Sequence, residues 1–147
     1  MALPYPDYKY GTGLGNVGSY QVSGKPFASA VTVPASGAAA TPAEINFPTV
    51  TKEITLTHDG DTGKHVRVAF SSNGLQDTVN NYVLIPPGVD GGVVTLNVKA
   101  TDLYIMCHDN TSDIILTAYG ALTGISPDRI TNISPSGSNW SGSSGIG

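Results

Sequence analysis

The sequence predicts an all-β fold: a single β-sandwich, jelly-roll or immunoglobulin-like, with an extended N-terminal arm and a Gly/Ser-rich C-terminal tail. Three observations predict it. Between about residues 29 and 119, β-branched and aromatic residues alternate with polar ones. Gly, Pro, Asn and Asp interrupt these runs every ~8–12 residues, the spacing of a sandwich. No segment sustains a helical period, and "TVNNY" (78–82) amounts to one helical turn at most.

Seven runs read as strands, and an eighth strand fits the spacing. "EINF" (44–47) comes first. "KEITLTH" (52–58) places Ile54 and Leu56 on one face, with Glu53, Thr55 and Thr57 on the other. "HVRVAF" (65–70) points Val66, Val68 and Phe70 inward and Arg67 outward. "NYVLIP" (81–86), "GVVTLNVKA" (92–100), "DLYIMCH" (102–108) and "DIILTAY" (113–119) follow. Two stretches echo one another: residues 54–70 and 103–119 each run strand, His-Asp, polar turn, strand. Asp and Asn favour such turns by bonding to their own backbone, so each stretch reads as a β-hairpin at one end of the sandwich.

The ends differ from this middle zone. Residues 1–28 form the predicted arm, 29–119 the β-sandwich domain and 120–147 the C-terminal extension, which closes on "SPSGSNWSGSSGIG". Within the arm, Gly13-Leu14-Gly15-Asn16-Val17-Gly18 spells a dinucleotide-binding glycine pattern. That pattern works only between a buried strand and a helix whose N-terminus faces phosphate. Here "MALPYPDYKY" precedes it, Gly24 and Pro26 follow it, and the first acidic residue beyond is Glu44. Glycine and proline would cost a helix interior about 1 and about 3 kcal/mol. The glycines therefore serve extended or turning backbone.

Composition narrows the function classes. Charged residues make up 12% of the 147, with 18 Gly and 10 Pro, which suits a turn-rich β protein or one whose surface partners cover. A net charge of −4 with no basic cluster argues against a nucleic-acid or anionic-membrane surface. The N-terminus has neither the basic nor the apolar region of a signal peptide, and no apolar run has the length of a membrane span. Cys107 is the one cysteine, so no internal disulfide forms. With no sign of secretion, the sequons at Asn110, Asn132 and Asn139 are expected to be incidental.

The chemistry-bearing residues receive structural readings. His58, Asp59, Asp61 and His65 lie within eight residues, with His108-Asp109 in the equivalent turn. Two histidines and two carboxylates are zinc-ligand types, but here they flank polar turns and are expected to be solvated. Asp59-Gly60-Asp61 begins like a calcium loop, yet the terminal Glu and flanking helices are missing. Cys107 sits in an apolar strand beside Met106 and is expected in the core. Ser23 and Ser36 precede glycine without the frame of a nucleophile elbow. The expectation is no catalytic residue, no cofactor and no metal.

The tyrosines carry more information. Tyr5, Tyr8, Tyr10 and Tyr20 lie along a segment with no alternating apolar pattern of its own. Tyrosine buries a large apolar body and keeps a polar handle, which suits contact surfaces. Two readings stand: contacts to a partner, or packing back on the same domain. Trp140, alone among Ser and Gly, either dangles or anchors in a pocket elsewhere.

Taken together, "NVGSYQVSGKPF" (16–27), "INFPTVTKEITLTHDGDTGKHVRVAFSSNGL" (45–75), "NYVLIPPG" (81–88), "LNVKATDLYI" (96–105) and "LTAYGALTGI" (116–125) resemble small virion structural proteins of marine tailed phages, notably those infecting cyanobacteria. The likeness runs over nearly the whole chain. It implies a β-sandwich capsid or tail component without enzymatic activity, located in the virion. Its partners would be the major capsid protein or neighbouring virion proteins, in a multi-copy lattice or homo-oligomer. The arm's glycines would let its backbone approach a neighbouring subunit closely. Three roles compete: a capsid decoration (cement) protein; a tail, neck or fibre-base component; and a carbohydrate-binding module using Trp140, Tyr82, Tyr104 and Tyr119. A hydrolase ranks last for want of an acid/base pair.

Overall fold

The computed structural model describes residues 24–36, 41–59, 63–109, 114–127 and 144–146. Eight strands run in chain order: β1 (Lys25–Val33), β2 (Ala43–Asn46), β3 (Thr51–Asp59), β4 (Val66–Ala69), β5 (Val83–Ile85), β6 (Val93–Leu96), β7 (Asp102–Cys107) and β8 (Ile114–Leu122). They form two four-stranded sheets, ordered β1-β8-β3-β6 (sheet A) and β2-β7-β4-β5 (sheet B). Every pairing is antiparallel. The helical content described is two short 3₁₀ turns, Asn73–Leu75 and Gly88–Asp90. Helical backbone is thus found at Asn73–Leu75, ahead of the stretch 78–82 where one turn was expected.

Alternation decides what each sheet buries. In β8, Ile114, Leu116, Ala118 and Leu122 are buried while Ile115, Thr117 and Tyr119 are exposed. In β3, Ile54 and Leu56 are fully buried, as their spacing predicts. These residues meet Val66, Val68, Ile85, Leu103 and Ile105 of sheet B in one core cluster. Cys107 belongs to the same cluster, with its Sγ 3.8 Å from the Val33 carbonyl. At one end Phe27 and Phe47 pack edge-to-face at 5.0 Å. There the segment after β8 is stitched to the one before β3: Thr123 N–H donates to Val50 O and Val50 N–H to Ile125 O, while the Thr123 hydroxyl donates to Val50 O at 2.6 Å. The "FPTV" and "LTGI" stretches of the sequence are therefore neighbours in space.

Several expectations are corrected. The echoing stretches are not hairpins: β3 lies in sheet A and β4 in sheet B, and β7 and β8 are likewise in different sheets. Each His-Asp corner carries the chain across the core. Alternation specifies the inward face of a strand but not its pairing partner, which explains the error. Of the seven connections, only β4–β5 stays within a sheet. The strands also run past both expected boundaries, from Lys25 at one end to Leu122 at the other. Gly24 sits where that first strand meets the last: a Cβ there would lie 2.5 Å from the Leu122 carbonyl oxygen, so glycine permits the close approach.

Arg67 does point away from the central core, but it is not solvated; it is 6% exposed. The long β4–β5 connection folds back over the outer face of sheet B, where Leu75 packs with Ala69, Met106, Tyr82 and Tyr104 in a second cluster. His58 was expected in a solvated turn. It is instead 3% exposed on β3, continuing the inward row of Ile54 and Leu56.

Candidate functional surfaces

The outer face of sheet A is assembled by register. Ala28 of β1, Tyr119 of β8, Thr55 of β3 and Thr95 of β6 form one cross-strand row. Ala30, Thr117, Thr57 and Val93 form the next. Neither row carries a charge. Tyr119 is 53% exposed, Val93 54% and Ile115 47%, and the Thr55 and Thr95 hydroxyls bond across the strands at 3.1 Å. An open face of an antiparallel sheet ordinarily alternates to charged and strongly polar residues. These two rows, between Glu53 and Asp59 at either end of β3, instead offer methyls, hydroxyls and an aromatic ring, groups that cost little to desolvate against a partner.

The outer face of sheet B is charged but largely self-satisfied. Arg67 Nε donates to His108 Nδ1 at 2.9 Å, which requires that nitrogen to be unprotonated. Its Nη1 donates to Leu75 O at 3.0 Å and to Asp77 Oδ1 at 2.7 Å. The guanidinium carbon lies 4.8 Å from the centre of the Tyr82 ring, a cation–π geometry. His65 and His108 stand edge-to-face at 6.3 Å. The His65 backbone N–H donates to Asp109 Oδ2 at 3.0 Å. That bond is the main cause that holds the Asp109 carboxyl below the usual aspartate range.

A second group lies where β2 pairs with β7, with Glu44 opposite Tyr104 and Asn46 opposite Asp102. Burial pushes the Asp102 carboxyl up; the Thr101 hydroxyl, donating at 2.8 Å, works against that rise and Glu44 adds to it. With the Asn46 amide nitrogen turned to the carboxylates, it bridges Asp102 Oδ1 at 2.6 Å and Glu44 Oε1 at 3.0 Å. Burial, then Glu44, push the Tyr104 hydroxyl to about 12.

The predicted site residues fall as follows. Tyr5, Tyr8, Tyr10, Tyr20 and Trp140 lie outside the described residues, as do Asp61 and the glycine pattern at 13–18. The first described element after that pattern is a strand, β1. His58 and His65 are separated by the crossing from sheet A to sheet B, and among the described residues no three His, Cys, Asp or Glu side chains gather in metal-binding geometry. Tyr119 lies on the outer face of sheet A, while Tyr82 and Tyr104 pack against the outer cluster of sheet B. The structure does not bring these three tyrosines onto one face. Sequence reasoning missed the Arg67–His108 pair and the uncharged rows of sheet A. The latter were signalled by "TLT" at 55–57 and "LTAY" at 116–119, whose outward positions are uncharged.

No protein-family model and no curated protein matches this chain.

Proposed function

We propose that the protein is a non-enzymatic structural component of a phage virion, a capsid decoration (cement) protein that binds the major capsid protein. The observation that carries the reading is the strand order. An order of β1-β8-β3-β6 facing β2-β7-β4-β5 is what eight strands give when two Greek keys are rolled into a jelly-roll sandwich, an architecture of viral capsid and lectin domains. The sequence resemblance to small phage virion proteins points the same way. The uncharged rows on sheet A give such a protein a broad face to lay against a capsid lattice. A tail, neck or fibre-base position is the alternative address. A glycan-binding module is the alternative class, since lectin domains share the architecture.

Cryo-electron microscopy of intact virions, with this chain traced and its copies counted, tests the proposal. Hundreds of copies on the shell are expected. A dozen or so at the neck or baseplate would move it to the tail, and absence from the particle would overturn it. A glycan-binding assay on the isolated protein is expected to show no saturable binding.

A further inference from the structure

The other end of the chain returns to sheet B. Ser144–Ile146 lies against the corner that follows β4, where the Ser71 hydroxyl donates to the Ile146 carbonyl at 2.9 Å. Ser71 is 2% exposed, and its oxygen in turn accepts the Gly74 N–H at 3.0 Å. Gly74 is shaped for this contact: a Cβ there would lie 2.5 Å from the Ile146 oxygen and 2.9 Å from the Asn81 oxygen. Beside it opens an apolar cavity of about 320 Å³ lined by Phe70, Val98, Lys99 and Ile146. Ile146 is one wall of this cavity and is only half-buried.

These features make a peptide-receiving notch: a buried hydroxyl aimed at a main-chain carbonyl, a glycine that admits backbone, and an apolar recess that the Ile146 side chain closes on one side. We propose that this notch is a docking site for Ser144–Ile146, and that neighbouring copies fill one another's notches by exchanging this segment. Residues 128–143 lie between Pro127 and Ser144. Sixteen residues span up to about 50–55 Å when extended, against roughly 40 Å for the diameter of a domain of this length. The connection can therefore deliver the segment to the chain's own notch or to a neighbour's. Among the described residues the segment is held by the Ser71–Ile146 hydrogen bond beside an apolar recess, and identical elements exchange at little cost. Repeated around a lattice, it links copies without new contacts. The exchange step rests on the multi-copy reading above; the notch itself does not.

Two full-length variants test this. Ile146→Asp disables the segment and leaves the notch; Gly74→Ala blocks the notch and leaves the segment. A labelled peptide of sequence SGSSGIG (residues 141–147) should bind the Ile146→Asp protein saturably, and about tenfold or more weaker when Gly74→Ala is added. In sedimentation velocity at rising concentration, the wild type should form dimers and larger species. Each variant should stay monomeric, and an equimolar mixture of the two should recover dimers, since each supplies what the other lacks. Absence of peptide binding to Ile146→Asp would overturn the notch. A wild type that stays monomeric throughout, or variants that assemble like it, would overturn the exchange. Circular dichroism checks Gly74→Ala for folding; should it fail, Ile146→Asp alone decides both points. Virion copy number is a separate readout, so loss of the capsid reading leaves peptide binding standing and the reverse.

Discussion

Arg67 and Asp77 form an ion pair at 2.7 Å whose two ends sit in different surroundings: the Arg67 side chain is 8% exposed and the Asp77 side chain 79%. The cost of losing each partner should differ accordingly. Asp77→Asn removes a solvent-screened carboxylate and should cost under ~1 kcal/mol. Arg67→Ala leaves Leu75 O and His108 Nδ1 without their donor and strips the cover from Tyr82. It should cost about 2–4 kcal/mol. Urea denaturation of the two variants checks this. Equal effects would mean that the surface ion pair dominates and the buried hydrogen bonds contribute little.

His58 presents the reverse situation. Both ring nitrogens are buried with no hydrogen-bond partner among the described residues, and a Cβ at Gly92 would come within 2.9 Å of the His58 Cβ. A buried polar atom left unpaired costs about 1–3 kcal/mol, and an apolar group of similar shape avoids that cost. His58→Leu should therefore stabilise the fold and raise Tm by a few degrees, as about 1 kcal/mol does in a chain of this size. A lowered Tm would show that a buried water satisfies the imidazole.

Asp102 and Asp109 should bend the stability curve in opposite directions. The Asp102 carboxyl is raised by burial, so the folded state holds its proton more tightly than the unfolded chain does. Its favourable contribution is complete below the ordinary aspartate value and is lost as pH rises through the raised one. Asp109 is lowered, first by the His65 N–H. Its contribution is present above the ordinary value and is lost as pH falls through the lowered one. In chemical denaturation between about pH 2 and pH 7, Asp102→Asn should remove a decline on the rising side. Asp109→Asn should flatten the acid limb. The same slope change in both variants would refute the assignment.

What the sequence made legible is what local alternation encodes. Ile54, Leu56, Val66 and Val68 are inward because their spacing says so, and Cys107 is in the core because it closes an apolar strand beside Met106. β1 escaped notice because Ala28, Ser29 and Ala30 dilute its pattern and Pro26 reads as a breaker; what makes it a strand is its register against β8, from Lys25–Leu122 to Val33–Ile114. Arg67 reads as outward, and its burial is not legible because Leu75, which caps its guanidinium, arrives from a connection that carries no strand signal. The sheet partner of each strand is likewise a long-range property. The Ser71–Ile146 contact joins residues 75 apart in sequence, and nothing local to either residue announces it.

The last prediction concerns the N-terminal segment that carries Tyr5, Tyr8, Tyr10 and Tyr20. The first strand starts at Lys25 and pairs with β8 along its whole length, and Gly24 already lies against the Leu122 backbone. Deleting residues 1–20 thus leaves every described strand and its register partners in place. If the tyrosines are contacts to the capsid or to a neighbouring copy, the deletion should leave the Tm of the free protein nearly unchanged. It should nevertheless weaken attachment, since one well-buried interface tyrosine is worth ~2 kcal/mol or more and side-by-side copies multiply the loss through avidity. Particles reconstituted with the truncated protein should then shed it on dilution or mild heating, measured as occupancy by quantitative gel or cryo-electron microscopy. A drop in Tm on truncation would mean that the tyrosines pack on their own domain. Wild-type occupancy with an unchanged Tm would mean that the segment is not the anchor and that docking falls to the uncharged rows of sheet A, where Tyr119→Ser and Val93→Ser would be the next variants to measure.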